Sequence, residues 1–259
     1  MTRKEQVRQA FGSAAATYDQ HAEVQRHVAA RLAEKIAAKP LAPALRVLEI
    51  GCGTGFVHGA LQSRLACDEW VFSDLSPDMV AVARERFGHL PYARFLAMDG
   101  EHPCVAPAGG FDLIVSSLSF QWFERLAQSV EALRRLLAPG GLMAFSLMAS
   151  DSFHEWRTAH RELGLEAATP DYPSAARLQA LWPEAEVSDE RITQSYPSAR
   201  DFLRHLKGIG AHVPAPGRPP LTPGALARAM RRFEAMGGRS TYHVAYCMLT
   251  APNHTAAGS

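Results

Sequence analysis

The feature that most constrains the fold is a short hydrophobic run that ends in three closely spaced glycines, within the segment 45–56 (LRVLEIGCGTGF). Val47, Leu48 and Ile50 form an aliphatic run that is typical of a strand buried on both faces of a parallel sheet. Glycines let the backbone approach a ligand closely and adopt positive φ angles. Because an amphipathic stretch over 57–65 follows, the order is strand, glycine turn and helix, which predicts a nucleotide site at the carboxyl edge of a sheet.

The glycine spacing differs from that of a dinucleotide site. A dinucleotide fingerprint has the form G-x-G-x-x-G/A and contacts a pyrophosphate. Here the third glycine, Gly55, comes after one residue, and Phe56 occupies the position where such a site has Gly or Ala. Glu49 precedes the first glycine by two residues, and its carboxylate would repel a pyrophosphate but suits a cationic ligand. An ordinary turn with glycines for packing alone is the alternative.

The spacing from Glu49 to Gly55 resembles the first motif of class I S-adenosylmethionine (SAM) methyltransferases, whose ligand carries an ammonium and a sulfonium group. The resemblance implies an α/β fold: a doubly wound, mostly parallel, seven-stranded Rossmann-like sheet with a small helical lid. It implies SAM as the cofactor, without a metal. It also assigns cofactor-binding roles in this motif to Glu49, Gly51, Cys52, Gly53 and Gly55.

Two further acids stand where predicted strands end. The strand over 70–74 ends at Asp74, and an acid at this point of a nucleotide fold accepts hydrogen bonds from ribose hydroxyls. A third strand over 94–98 is followed by Asp99. The resemblance assigns Asp99 to the adenine amino group, although a D-G pair is also a common turn. It adds three neighbours to the cofactor site: Leu75, Met79 and Gly100.

Strands continue to alternate with helices up to about residue 147, which predicts a parallel sheet with right-handed crossovers. We predict a helix over 76–87 with Ser76 as its N-cap, a strand over 111–116, a helix over 126–137, a turn over 138–141 and a strand over 142–147. The resemblance assigns four residues after the fourth strand to the cofactor: Ser116, Ser117, Gln121 and Trp122.

The alternation weakens in the last third of the chain. We predict helices over 152–163, 175–181, 197–206 and 225–236, strands over 187–194 and 241–249, and a proline-rich loop over 211–220. The resemblance implies that the last strand is antiparallel to the others. It divides the chain into an N-terminal helical segment (1–40) that covers the cofactor site, a methyltransferase domain (41–250) in which 152–240 forms the substrate lid, and a flexible tail (251–259).

The N-terminal segment contains a second candidate for contact with the ligand. Apolar residues recur every four positions over 23–39 and predict an amphipathic helix, with Asp19 as a candidate N-cap. This helix would place Tyr18 over the ligand, where we count it among both the cofactor-binding and the catalytic candidates. A packing or capping role is the equal alternative for Tyr18.

Composition excludes several functional classes. The formal net charge of +1 gives no general argument for nucleic-acid binding, and Ser116–Ser119 replaces the N-P-P-Y-like tetrad of base methyltransferases. The four cysteines have no metal-ligand spacing. The chain shows no signal-peptide core and no apolar run long enough to span a bilayer. We therefore expect a cytoplasmic, monomeric protein that binds no nucleic acid, membrane or metal.

Four longer segments narrow the resemblance. FGSAAATYDQHAEVQRHVAARL, SLSFQWF, FSLMASDSFHEWR and YPSARDFLRHLKGIGA together resemble the biotin-pathway methyltransferases that act on malonyl-acyl carrier protein, and the resemblance covers about 8–249. The proline-rich piece at 214–220 departs from it. Two alternatives stay open: a small-molecule O-methyltransferase, and a methyltransferase-fold assembly factor of respiratory complex I.

The segment 191–239 contains nine Lys or Arg and two acids. A basic region in a nearly neutral chain suits an acidic partner such as malonyl-acyl carrier protein, although scattered surface charges are the alternative. Methylation of its carboxylate would be a direct displacement that needs alignment and no general base. A cation would hold the carboxylate, and the candidates for this catalytic role are Arg157, Arg204 and Lys207.

Overall fold

Seven strands form one sheet in the computed structural model, which describes residues 1–218 and 220–251. They are β1 (Leu45–Ile50), β2 (Cys67–Asp74), β3 (Ala93–Ala97), β4 (Phe111–Ser117), β5 (Leu137–Met148), β6 (Glu186–Ser195) and β7 (Arg239–Thr250). The order across the sheet is β3-β2-β1-β4-β5-β7-β6. Strands β1 to β5 are parallel, and β7 runs antiparallel to β5 and β6. The expected fold class and the antiparallel last strand are confirmed.

Ten helices accompany the sheet within the described residues. They are α1 (Arg3–Ala14), α2 (Tyr18–His21), α3 (Glu23–Ala37), α4 (Phe56–Leu61), α5 (Pro77–Phe87), α6 (Leu126–Arg134), α7 (His154–Arg161), α8 (Ala175–Leu181), α9 (Ala199–Gly208) and α10 (Pro223–Ala235), with a short 3-10 helix at Phe120–Trp122. None of those helices is long and apolar enough to cross a membrane. The predicted tail lies, apart from Ala251, outside the described residues.

Alternate residues of the central strands pack into two separate cores. Val47 and Val115 belong to the core beneath α3, α7 and α10, whereas Leu48 and Ile114 belong to the core beneath α6 and α8. Successive side chains of a strand point to opposite faces, so an aliphatic strand such as β1 is buried on both sides. This double burial explains the continuous hydrophobic run in the sequence.

Three local predictions need correction. Asp19 caps no helix: it lies within α2, accepts a hydrogen bond from Thr54 Oγ1 (2.6 Å) and pairs with Arg86. The predicted turn at 138–141 is a bulge inside β5, because Phe111 pairs with Leu137 while Leu113 pairs with Leu142. The predicted helix over 57–65 ends at Leu61.

Helix α1 is the one long element that the sequence interpretation missed. Its N-cap Thr2 accepts from the Glu5 backbone N–H, and the Glu5 carboxylate accepts from the Thr2 N–H. This reciprocal capping box, T-x-x-E, is a sequence signal for a helix start. The predicted cap Ser76 is confirmed, since its hydroxyl accepts from the Met79 backbone N–H.

Candidate active site

The carboxyl ends of the parallel strands border a cavity, here called the strand-end cavity. Ten of the predicted cofactor-binding residues line it: Tyr18, Gly51, Gly53, Asp74, Leu75, Met79, Asp99, Gly100, Ser117 and Trp122. They come from the ends of strands β1, β2, β3 and β4, from α2 and α5 and from the 3-10 helix. The topology thus brings together residues that are more than a hundred positions apart in sequence.

The glycine turn after β1 forms one wall of this cavity. Gly51 has a φ of +66° and Gly53 a φ of +53°, a backbone conformation that L residues rarely adopt. A Cβ at Gly51 would collide with Ser119, whereas a Cβ at Gly53 would meet nothing within 4 Å. The Gly53 backbone therefore faces open space that a ligand can fill.

Asp74 is fixed at the end of β2 by backbone groups. Its Oδ2 accepts from the Gly53 N–H (3.0 Å) and its Oδ1 from the Ser76 N–H (2.8 Å). Burial raises the pKa of Asp74 to about 6, against the effect of these backbone donors. Each oxygen keeps acceptor capacity beyond its one backbone bond, so this carboxylate is positioned to bind hydroxyl groups.

Lys4 of α1 crosses the cavity to the acids that follow β3. Its ammonium contacts the Asp99 carboxylate and lies 2.7 Å from Glu101 Oε2. Burial opposes the ionisation of Glu101, but Lys4, the backbone N–H groups of Glu124 and Arg125 and the Ser129 hydroxyl together lower its pKa to about 2. Helix α1 is therefore tied to the loop after β3 by a partly buried charge cluster.

Five predicted cofactor residues do not line the strand-end cavity: Glu49, Cys52, Gly55, Ser116 and Gln121. Glu49 is 1% exposed, and its Oε2 accepts from Trp70 Nε1 at 2.8 Å. Burial raises its pKa to about 8, which favours the uncharged form of the side chain. The expected anionic role of Glu49 next to a cationic ligand gains no support from this placement.

The remaining four of these residues lie outside the strand-end cavity, in different surroundings. Gly55 has a φ of +91° and a Cβ there would collide with Phe87, so it permits close helix packing. Cys52 and Ser116 are buried, and burial raises the pKa of the Cys52 thiol. Gln121 lies on a second cavity.

This second cavity, here called the inner cavity, adjoins the first. Aromatic residues form much of its wall: Phe11, Tyr18, Trp122, Phe153, Tyr172 and Tyr242. Aliphatic residues and two amides complete it: Leu118, Met148, Leu206, Ile209, Ala211, Gln25 and Gln121. Four residues line both cavities: Phe11, Tyr18, Leu118 and Trp122. Within the described residues, no charged side chain lines the inner cavity.

Three buried polar atoms on residues of the inner wall are conspicuous because they have no hydrogen-bond partner within the described residues. They are the indole Nε1 of Trp122, a donor, and the amide Oε1 atoms of Gln121 and Gln25, which are acceptors. The Gln121 amide is oriented by its Nε2, which donates to the Leu118 carbonyl at 2.6 Å. Buried polar groups are normally paired, so unpaired ones on a cavity wall mark a place for a polar ligand.

Comparison with known proteins places these cavities in context. A family model described as "Methyltransferase domain" matches residues 48–145, which include the glycine turn and both strand-end acids. The "Malonyl-[acyl-carrier protein] O-methyltransferase" of Magnetococcus marinus is 38% identical over 93% of this chain and 90% of that protein. This chain belongs to the malonyl-[acyl-carrier protein] O-methyltransferase family.

Two further similarities agree with this family. The "Biotin biosynthesis bifunctional protein BioCD" of Bordetella avium is 47% identical over 91% of this chain, but the chain spans only about half (50%) of that protein's length. A Haloferax volcanii methyltransferase solved with the Trm112 methyltransferase activator has a TM-score of 0.60 at 19% identity, covering 96% of this chain and 98% of that one. The structural similarity shows the methyltransferase fold.

None of the three cations predicted to hold a carboxylate lines the inner cavity. The Arg157 guanidinium donates to the Ser150 carbonyl and does not line the inner cavity. Arg204 and Lys207 of α9 line a surface groove between α9 and α1 instead. The Arg204 side chain is 65% exposed and pairs with Asp201.

The basic segment 191–239 is partly neutralised by acids from outside it. Four of its nine cations form ion pairs: Arg191 with Asp151 and Asp189, Arg204 with Asp201, Arg218 with Glu166, and Arg232 with Glu162. Only Asp201 belongs to the segment itself. A charge count along the sequence omits such partners, so the local excess of positive charge is smaller than the sequence suggested.

Sequence interpretation expected the segment 1–40 to cover the cofactor site but named none of the α1 residues that line the strand-end cavity. Lys4, Val7, Arg8 and Phe11 all line it, yet no helix was predicted over 1–14. The capping box and the spacing of four between Val7 and Phe11 were the available signals. The inner-wall residues Tyr172 and Tyr242 carried no motif that distinguishes them from core aromatics.

Proposed function

We propose that this chain transfers the methyl group of SAM to the free carboxylate of a malonyl group carried by acyl carrier protein, as a step of biotin synthesis. The observation that carries the proposal is the pair of adjoining cavities. One is bordered by strand-end acids, the other is uncharged, and they share Tyr18 and Trp122. The names of the relatives from Magnetococcus marinus and Bordetella avium supply the substrate and the pathway.

The residues of the strand-end cavity fit SAM. The open backbone at Gly53 suits close approach of a ligand, and the Asp74 carboxylate is positioned for ribose hydroxyls. Asp99 and Gly100 lie on the same wall, where the adenine is expected. When bound, SAM supplies an activated methyl group and leaves as an uncharged thioether.

The chain's own residues align the substrate carboxylate with the methyl group of SAM. A carboxylate is already a nucleophile, so no proton has to be removed. Burial raises the pKa of Tyr18, with further contributions from the Asp74 and Asp19 charges, so its hydroxyl stays protonated. We assign Tyr18 and Trp122 to the wall where the two substrates meet, because both residues line both cavities. Holding two reactants in line within about 3–3.5 Å is a large part of catalysis in such reactions.

The surface groove beside α9 is the proposed docking site for the carrier protein. Arg204, Lys207, His21 and His212 line it, and acyl carrier proteins are acidic. The neighbouring residues Leu206 and Ile209 of the same segment line the inner cavity. A carrier docked on the groove would thus sit close to the cavity that receives its acyl group, and complementary charge would raise the association rate.

The test is turnover with defined substrates. The protein is incubated with SAM and malonyl-acyl carrier protein, and mass spectrometry monitors the carrier for the added methyl group. We expect a methyl ester on the malonyl group. Tight SAM binding without any product would rule out this substrate. Equal rates on malonyl-CoA and on the carrier conjugate would instead indicate a small-molecule methyltransferase.

A further inference from the structure

The inner cavity raises the question of what balances the charge of a carboxylate substrate, because none of its described lining residues is a cation. The described lining residues are aromatic, aliphatic or amide. Arg157 and Arg3 act on the Tyr172 hydroxyl through their charge, but burial outweighs them and raises its pKa. Arg157 is also engaged with the Ser150 carbonyl. Lys4 and Arg8 line only the adjoining strand-end cavity, where Lys4 is paired with Asp99 and Glu101. An anion in the inner cavity therefore has no counter-charge among the described lining residues.

The chemistry of the proposed reaction explains why such a site is favourable. A carboxylate oxygen forms a bond to the methyl carbon, the carbon–sulfur bond breaks, and its electron pair stays on sulfur. The negative charge of the carboxylate and the positive charge of the sulfonium disappear together. A protein cation beside the carboxylate would stabilise the charged ground state more than the less charged transition state, which lowers the rate. An uncharged wall avoids this penalty.

Uncharged groups with unmet hydrogen bonds remain to orient the carboxylate. The Trp122 indole N–H is a donor without a partner in the described chain, on a residue that lines both cavities. The Gln121 Oε1 is an acceptor, because its Nε2 is already bound to the Leu118 carbonyl. A carboxylate accepts hydrogen bonds and an amide N–H donates them. The Trp122 N–H therefore suits the carboxylate, and the Gln121 oxygen suits an amide N–H of the carrier's thioester arm.

We propose that this chain binds the reacting carboxylate with uncharged donors, chiefly the Trp122 indole N–H, and leaves charge compensation to the sulfonium of SAM. The proposal rests on the proposed function and deepens it. Its consequence is selective binding: a malonyl group is favoured in the inner cavity only while the ligand in the neighbouring strand-end cavity carries a positive charge at or near the sulfur position. After transfer, both products are uncharged there.

The decisive experiment compares binding, without turnover, of two carrier conjugates to two forms of the enzyme. Malonyl- and acetyl-acyl carrier protein are titrated into enzyme saturated with S-adenosylhomocysteine, which is neutral at sulfur, or with sinefungin, which carries an ammonium near that position. With sinefungin we expect malonyl to bind about tenfold tighter than acetyl, because charge attraction is strong in an apolar cavity. With S-adenosylhomocysteine we expect malonyl to bind no tighter than acetyl, since burying a carboxylate without a counter-charge is unfavourable.

A Trp122→Phe variant tests the assigned donor. It keeps an aromatic ring but removes the N–H, and we expect about a tenfold loss of malonyl affinity in the sinefungin complex, with acetyl affinity within about threefold. Trp182→Phe is the matched control. Its indole donates to Glu131 (3.0 Å), and it lines neither cavity, so we expect no change in these affinities.

The outcomes separate the two proposals. If wild-type enzyme fails to methylate malonyl-acyl carrier protein, the proposed function falls and this inference falls with it. If turnover occurs but malonyl binds about tenfold tighter than acetyl in the S-adenosylhomocysteine complex, a protein cation holds the carboxylate and the inference alone is overturned. Unchanged malonyl affinity in Trp122→Phe would overturn the assignment of the donor.

Discussion

The two cavities of this protein meet at Tyr18 and Trp122 but are built in opposite ways. The strand-end cavity is lined by Asp74, Asp99 and Lys4, and much of it comes from short motifs at strand ends. The inner cavity has no charged lining residue among those described and combines segments from α1 to β7. The first site uses charge at fixed backbone positions, whereas the second relies on shape and exclusion of water.

This contrast suits two substrates with different demands. A nucleoside that carries several polar groups needs acceptors held rigidly, and backbone N–H groups hold Asp74 in that way. A carboxylate that must lose its charge in the reaction benefits from few competing interactions. Each prediction below tests one side of the comparison, in order of decreasing expected effect.

The largest effect is expected for Asp74→Ala. Loss of this buried acceptor removes charged hydrogen bonds to the ribose and leaves the Gly53 and Ser76 N–H groups unpaired. We expect SAM affinity to fall roughly 100-fold, or about 3 kcal/mol, measured by calorimetry. Asp68→Ala, at an exposed position of the same strand, is the matched control. Wild-type affinity in Asp74→Ala would mean that the nucleoside binds elsewhere.

The strand-end cavity was largely predictable from sequence because its determinants are local. The hydrophobic run, the glycines and Asp74 each follow from neighbouring residues, and ten predicted residues line one cavity. Glu49 shows the limit of this approach. Its position in the motif was evident, but its burial against Trp70 and its raised pKa depend on the pairing of β1 with β2.

The inner cavity was not predictable in the same way. Met148, Tyr172 and Tyr242 come from three separate parts of the chain, and aromatic or aliphatic residues at such positions are usually core. Arg157, Arg204 and Lys207 do not line the inner cavity for the same reason. Helical spacing indicates which residues share one face of α9, but it does not indicate which part of the protein that face contacts. The surface groove lined by Arg204 depends on α1, whose bounds and packing beside α9 the sequence interpretation did not give.

The next largest effect, on kcat, is expected at the wall that the two cavities share, to which Tyr18 belongs. Tyr18→Ala removes a ring that separates the cavities and packs near Phe56 (6.1 Å between ring centres). We expect kcat to fall roughly 30- to 100-fold, because misplacement of reacting atoms by about 1 Å has effects of that size. Tyr18→Phe keeps the ring and should lose no more than about threefold. Equal losses in the two variants would show that the hydroxyl, and not the wall, is required.

A stability effect is expected from the buried acid beneath the strand-end cavity. Burial raises the Glu49 pKa from 4.5 to about 8. An acid with a raised folded-state pKa contributes stability below its unfolded pKa, and this contribution is lost as pH rises from about 4.5 through about 8. Glu49→Gln keeps an acceptor for the Trp70 N–H without this titration. Near pH 8 we expect the variant to be more stable, by up to about 1.4 kcal/mol for each unit by which burial raises the Glu49 pKa.

Urea unfolding at several pH values measures this effect. The difference in free energy of unfolding between Glu49→Gln and wild type should grow from about pH 5 to about pH 8. Glu69→Gln, on β2 with a salt bridge to Arg94, is the control and should show no such trend. A difference that stays constant with pH would mean that Glu49 is ionised throughout and that a cation not seen here compensates it.

The smallest effect is expected on the outer surface, where exposure weakens each charge. Arg204 is 65% exposed and already paired with Asp201, so Arg204→Ala should raise KM for malonyl-acyl carrier protein by about two- to fivefold. SAM affinity should not change, because Arg204 does not line the strand-end cavity. This increase in KM should become smaller at high salt. Salt screens the attraction between the carrier protein and the groove in the wild type as well, so the two proteins become more alike.

Arg31→Ala is the control for Arg204→Ala because it removes a similarly exposed arginine, paired with Glu34 on α3, from outside the groove. We expect an unchanged KM. If both variants raise KM equally, overall charge and not the groove attracts the carrier. If Arg204→Ala instead lowers SAM affinity alone, α9 supports the strand-end cavity, and the division between a charged nucleoside site and a separate acceptor site breaks down at this helix.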